Sequence, residues 1–126
     1  MQRRETGSVV VEFGLIFPVI ALLIGGLVTF GHAYGVQLTL NHAAREGVRS
    51  MALGEADPAG VAVSSAPGLD GSSLSVTTSG RCDPARPEDI GREVGVTVSY
   101  RVDLPFPILF DGVSQLRARA VMRCGG

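Results

Sequence analysis

The chain has 126 residues, a formal net charge of −1, and a composition that is 45% hydrophobic but only 18% charged. That length leaves room for one small domain, and so many apolar side chains with so few charges argue against a soluble cytosolic enzyme. The 11 basic residues, all of them arginine, and the 12 acidic residues are scattered along the chain, which excludes an acidic or basic tail.

Residues 1–7 are polar and include the adjacent Arg3 and Arg4. From residue 13 to residue 31 no side chain carries a charge, and the apolar character runs on to residue 36. At about 1.5 Å per residue, roughly 20 helical residues cross the hydrocarbon layer, so residues 13–36 are predicted to span a membrane. The stretch is longer than the roughly 7–15 apolar residues of a cleaved secretory signal, and no clean small-x-small site follows it. A retained, single-pass anchor is therefore expected. Arg3 and Arg4 should keep the N-terminus cytoplasmic and leave the C-terminal part exported.

Helical periodicity persists beyond the span. Leu40, Ala44, Val48 and Met51 form an apolar stripe, while Asn41, His42, Arg45 and Arg49 occupy other faces. Gly54 is the predicted stop, with Pro58 soon after. The expectation is one long helix over residues 8–53, with Pro18 and the adjacent Gly25 and Gly26 as the places for it to bend. Residues 54–72, rich in Ala, Gly, Pro, Ser and Asp, read as a linker with a short strand at Val61, Ala62 and Val63.

Residues 73–126 contain three strand-like runs, at 73–78, 93–102 and 115–124. The second places Val94, Val96, Val98, Tyr100 and Val102 on one face. The third places Leu116, Ala118, Ala120, Met122 and Cys124 inward, with Arg117, Arg119 and Arg123 outward as a solvated face. An α+β fold follows: a long N-terminal transmembrane helix packed on a small antiparallel sheet, which buries Leu40, Ala44 and Val48. The run LPFPILF at 104–110 is expected to fold back onto the core rather than to stand out as an apolar knob. Cys82 lies in a loop. A Cys82–Cys124 disulfide, closing a loop of about 40 residues and worth about 3–4 kcal/mol, is the expected state. Two free thiols or a metal pair are the alternatives, although neither His32 nor His42 has a cysteine at ligand spacing.

No catalytic residues, cofactor site, metal site, nucleic-acid face or small-molecule site is predicted, since the sequence has no phosphate loop and no nucleophile–base pattern. Glu12 is the informative exception in the apolar stretch. An acidic group at a helix centre in lipid costs roughly 2.5–3.5 kcal/mol, less toward an end, so Glu12 either reaches to the cytoplasmic headgroups at the start of the span or has a cationic partner, and the partner is the expected state. If the chain were cut after Gly7, Ser8 would supply a new α-amine and Glu12 would be the fifth residue.

The motif GSVVVEF at 7–13, behind a short basic leader, resembles the cleavage site of type IV prepilins. The run VEFGLIFP at 11–18 together with NHAAREGVR at 41–49 resembles the TadE-like family, minor pilins or pseudopilins of the tight-adherence (Tad/Flp) pilus system. The resemblance covers roughly residues 7–50; Phe13 stands where major Flp pilins more often carry Tyr, which suits the minor class. It implies a type IV pilin-like fold. It also implies a leader over residues 1–7 removed by a prepilin peptidase at the Gly7–Ser8 bond, and partners among other pilins and the Tad assembly machinery. Glu12, beside Phe13, would then meet the freed amine of a neighbouring subunit and set axial register, because an unmatched charge in a low-dielectric bundle is costly. Gly14, Pro18, Gly25 and Gly26 would shape close helix packing. The rival reading is an uncleaved membrane anchor whose exported sheet binds an envelope partner.

Overall fold

Good helix formers precede the apolar run, and between Arg3 and Ala52 only Pro18 lacks a backbone N–H. A 50-residue helix, α1 (Arg3–Ala52), is the result. The computed structural model describes residues 3–103 and 114–125, and the chain divides into two units, Met1–His32 and Ala33–Gly126. Helix α1 begins earlier than the periodicity indicates, because Arg3, Arg4 and Glu5 extend it. It runs unbroken through Pro18 and through Gly25 and Gly26.

In the first unit α1 is alone, and its Val, Leu, Ile and Phe side chains from Val9 to Phe30 are exposed on all sides. One helix among the described residues, over Gly7–Ala52, is long and apolar enough to cross a membrane. The Thr29 hydroxyl donates to the Gly25 carbonyl (2.8 Å), so its polar group is satisfied within the helix.

The second unit opens with the remaining turns of α1, whose predicted stripe of Leu40, Ala44, Val48 and Met51 is buried throughout. The helix ends as a Schellman motif. The Glu55 amide donates to the Ser50 carbonyl and the Gly54 amide to that of Met51, both at 3.1 Å, with Gly54 at φ +75°. Only glycine reaches that φ without strain.

The segment read as linker and short strand is instead a helix, α2 (Pro58–Ser64). Pro58 sits in the first turn, where its missing N–H costs nothing, and the Asp57 carboxylate caps the helix by accepting the Gly60 amide at 2.9 Å. The Asp-Pro start signal outweighs the β preference of Val61 and Val63.

Three antiparallel strands follow in the order β1 (Leu74–Ser79), β2 (Glu93–Val102), β3 (Ser114–Arg123). The register pairs Val96 with Ala120 and Val98 with Ala118, so branched side chains on β2 meet small ones on β3. The inner row of Val94, Val96, Val98 and Val102 is fully buried and shares one core with Leu40, Ala43, Ala44 and Val48 of α1. The run at 104–110 lies outside the described residues.

Gly47 is the hinge of this packing. A Cβ there would stand 2.9 Å from the Ala62 methyl, 3.3 Å from the Pro58 carbonyl oxygen and 3.3 Å from Val96 Cγ1. Its missing side chain therefore lets α1, α2 and β2 meet at one point. Ala62 opposite it is completely buried.

Cys82 and Cys124 form a disulfide, with Cα atoms 5.6 Å apart, as expected. The free-thiol and metal-pair alternatives are thereby set aside. Around it the Cys124 amide donates to the Arg92 carbonyl (2.9 Å) and the Gly91 amide to the Cys124 carbonyl (3.1 Å). The buried Asp89 carboxylate accepts the Asp83 amide (3.3 Å) and pairs with Arg92 (3.0 Å), which fastens the loop that carries Cys82.

Candidate functional site

The residues singled out for processing and assembly all lie on α1 in the first unit. The Gly7–Ser8 bond is inside the helix, in its second turn, and a side chain at Gly7 would meet nothing within 4 Å. A peptidase acting there has to unwind the first turns, and glycine lowers that cost by about 1 kcal/mol relative to alanine. Ser8 and Glu12 are one turn apart, with a rise of about 6 Å and an angular offset of about 40°, so they share a helix face. Glu12 is exposed and makes no hydrogen bond or ion pair among the described residues. Phe13 stacks on Phe17 with ring centroids 5.9 Å apart, one turn along an adjacent face.

Helix phase sorts the packing candidates. Gly7, Gly14, Pro18 and Gly25 fall within about 40° of one another around α1, whereas Gly26 lies about 100° from Gly25. Gly14 has open space where a side chain would be, as does Gly26. Pro18 has no N–H for the Gly14 carbonyl, and the bare Gly14 leaves room beside the proline ring. The small-residue face thus comprises Gly7, Gly14, Pro18 and Gly25, and Gly26 belongs to another. Glu12 lies about 140° from Gly7, on a different side of the helix from that face.

The model of the TadE-like protein family matches residues 7–49. Over that stretch, about a third of its length, the chain is similar to the TadE-like family. No curated protein matches the chain, and neither does any solved structure.

The TadE-like segment crosses both units, and its two recognisable blocks have different surroundings. The VEFGLIFP block is on the exposed apolar part of α1. In the AAREGVR block, Ala43, Ala44, Gly47 and Val48 are buried in the core of the second unit, while Arg45 and Arg49 are exposed. That second block is a helix–sheet packing element. Gly47 is a packing determinant that the sequence signals only by its place among the small residues Ala43 and Ala44 on one helix.

Among the described residues no cluster of three or more His, Cys, Asp or Glu side chains is placed to hold a metal ion. Among the described residues, a depression at the C-terminal end of α1 is lined by Glu55, Asp57, Arg81, Asp83 and Pro84. Its acids are spent locally: Glu55 accepts from the Ser50 hydroxyl at 2.5 Å, Asp57 caps α2, and Asp83 pairs with Arg86 at 3.5 Å.

Proposed function

We propose that this protein is a minor pilin or pseudopilin subunit of a Tad/Flp pilus, held in the bacterial cytoplasmic membrane by α1 and cut between Gly7 and Ser8 by a prepilin peptidase. The observation that carries the reading is the TadE-like match over residues 7–49 on a helix whose first unit exposes apolar side chains all round, with the exposed Glu12 carboxylate among them. Such a surface is stable in lipid or in a bundle of like helices, not in water.

Cleavage creates an α-amine with a pKa of roughly 7.7–8.0, positively charged at neutral pH, at the very start of the shortened helix. A cation there opposes the helix macrodipole, whereas the Glu12 carboxylate one turn on favours it. Pairing the Ser8 amine of one subunit with Glu12 of a neighbour neutralises both charges in the apolar bundle and specifies axial register. The small-residue face at Gly7, Gly14, Pro18 and Gly25 admits a second neighbouring helix on another side. Arg3 and Arg4 favour a cytoplasmic N-terminus, and the Cys82–Cys124 bond agrees with a second unit exported to an oxidising compartment. Its partners on this reading are other pilins and the Tad assembly machinery.

The N-terminal peptide of the protein from its native membrane, identified by mass spectrometry, tests the reading. A start at Ser8 supports it. A start at Met1 or Gln2 in cells with an active prepilin peptidase refutes it and leaves an uncleaved anchor.

A further inference from the structure

Strand β3 is an edge strand, and its two sides and its backbone are unlike in a way the core does not require. Two hydrogen bonds establish which backbone groups face outward. The Cys124 amide continues the ladder to β2 by donating to the Arg92 carbonyl, so even-numbered residues of β3 bond to β2. The Arg117 carbonyl instead accepts the side-chain amide of Gln37 on α1 at 2.9 Å, which places odd-numbered residues on the free edge. Beyond Arg117, the backbone N–H and C=O groups of Arg119 and Val121 have no partner among the described residues, and both residues are exposed. Gln37 shows that this edge takes a donor where one is offered.

The outward row of the same strand is cationic. Arg117, Arg119 and Arg123 point to the outer face, where Glu93 approaches Arg123 at 4.0 Å, and Arg117 and Arg119 have no ion pair among the described residues. The inward row is apolar and incompletely covered: Leu116, Ala120 and Met122 are half-buried against the core. An open ladder, a cationic row and an unfinished apolar row therefore run side by side along about 20 Å of strand.

We propose that the free edge of β3 is a strand-addition site for an extended segment of another polypeptide in which acidic and apolar residues alternate. Such a segment would bond its backbone to Arg119 and Val121, set its acids opposite the arginine row, and lay its apolar side chains beside Leu116, Ala120 and Met122. A second copy of this chain is the wrong occupant. Two β3 edges related by a two-fold axis would set Arg119 opposite Arg119 or Arg117 on the same face, and like charges directly opposite one another repel. The arginine row thus opposes self-pairing while favouring an acidic strand. The site depends on neither processing nor pilus assembly.

The test uses the full chain in a mild non-ionic detergent and three labelled, end-blocked octapeptides: alternating Glu and Val, alternating Lys and Val, and the Glu–Val peptide N-methylated at alternate amides. Fluorescence anisotropy should show the Glu–Val peptide binding at least about tenfold more tightly than either other peptide at the same ionic strength. Amide exchange should slow at Arg119 and Val121 when it binds. The exposed double variant R117E/R119E should reverse the preference in favour of the Lys–Val peptide. Equal binding of the Glu–Val and Lys–Val peptides overturns the proposal. So does equal binding of the N-methylated peptide, which would reduce the association to charge alone, and so does unchanged exchange at Arg119 and Val121.

Discussion

The double variant Cys82→Ala/Cys124→Ala should weaken the second unit by a large fraction of its total stability. The bond joins residues 42 apart in sequence, and closing a loop of that length in the unfolded chain is worth about 4 kcal/mol on the chain-entropy model. A unit of roughly 94 residues has an unfolding entropy near 0.2 kcal/mol/K at its midpoint, so the melting temperature should fall by about 20 °C. Removing both cysteines avoids leaving a lone buried thiol, and the backbone bonds at Cys124 remain. Calorimetry of the full chain in detergent reads the shift, and reductant added to the native protein should lower its transition to that of the variant. A fall of less than about 5 °C would refute the reasoning. It would mean that the β2–β3 ladder and the packing at Gly47 hold the unit without the cross-link.

Glu12→Gln should leave membrane insertion intact, because it removes a charge from the apolar stretch, while assembly with other pilins in cells is lost; co-purification of pilins from detergent extracts checks it. Gly47→Leu should destabilise the second unit by about 3 kcal/mol or more, since its Cβ alone already crowds Ala62, Pro58 and Val96; Gly47→Ala should cost less, because better helix propensity offsets part of the crowding. Both follow from denaturant titration of the detergent-solubilised chain. The Ser72 hydroxyl and amide both donate to the Asp70 carboxylate and hold its pKa below the ordinary 3.8. Stabilisation from this turn is therefore present above pH 3.8 and lost as pH falls through the lowered value. An NMR titration of Asp70 should show the low midpoint, and Ser72→Ala should raise it.

Local pattern was enough wherever one residue's neighbours in sequence decide its environment. The alternation over residues 93–102 and 115–124 placed the buried valines of β2 and the outward arginines of β3 correctly, because a strand's side-chain period of two is a property of the backbone alone. The stripe from Leu40 to Met51 and the stop at Gly54 were legible for the same reason, as was the uncharged span with Glu12 at its edge. At residues 61–63 the β preference of Val61 and Val63 favours a strand locally, but the Asp57 cap with Pro58 behind it makes the segment a helix.

Other features exist only once distant segments meet. Composition names Gly47 as a helix weakness; only the approach of Ala62 and Val96 makes it a packing requirement. Spacing cannot pair two cysteines by itself, and the loop fastened by Asp89 brings Cys82 to the end of β3. Nor does the alternation in β3 say which of its edges is open. That depends on the strand order and on the bond from Gln37, a contact across 80 residues of sequence. Sequence determined the elements, the apolar span and the faces of each strand, because these follow from periodicity and local backbone chemistry. Tertiary structure decided what each face meets, because packing and hydrogen-bond geometry join residues that no local rule relates.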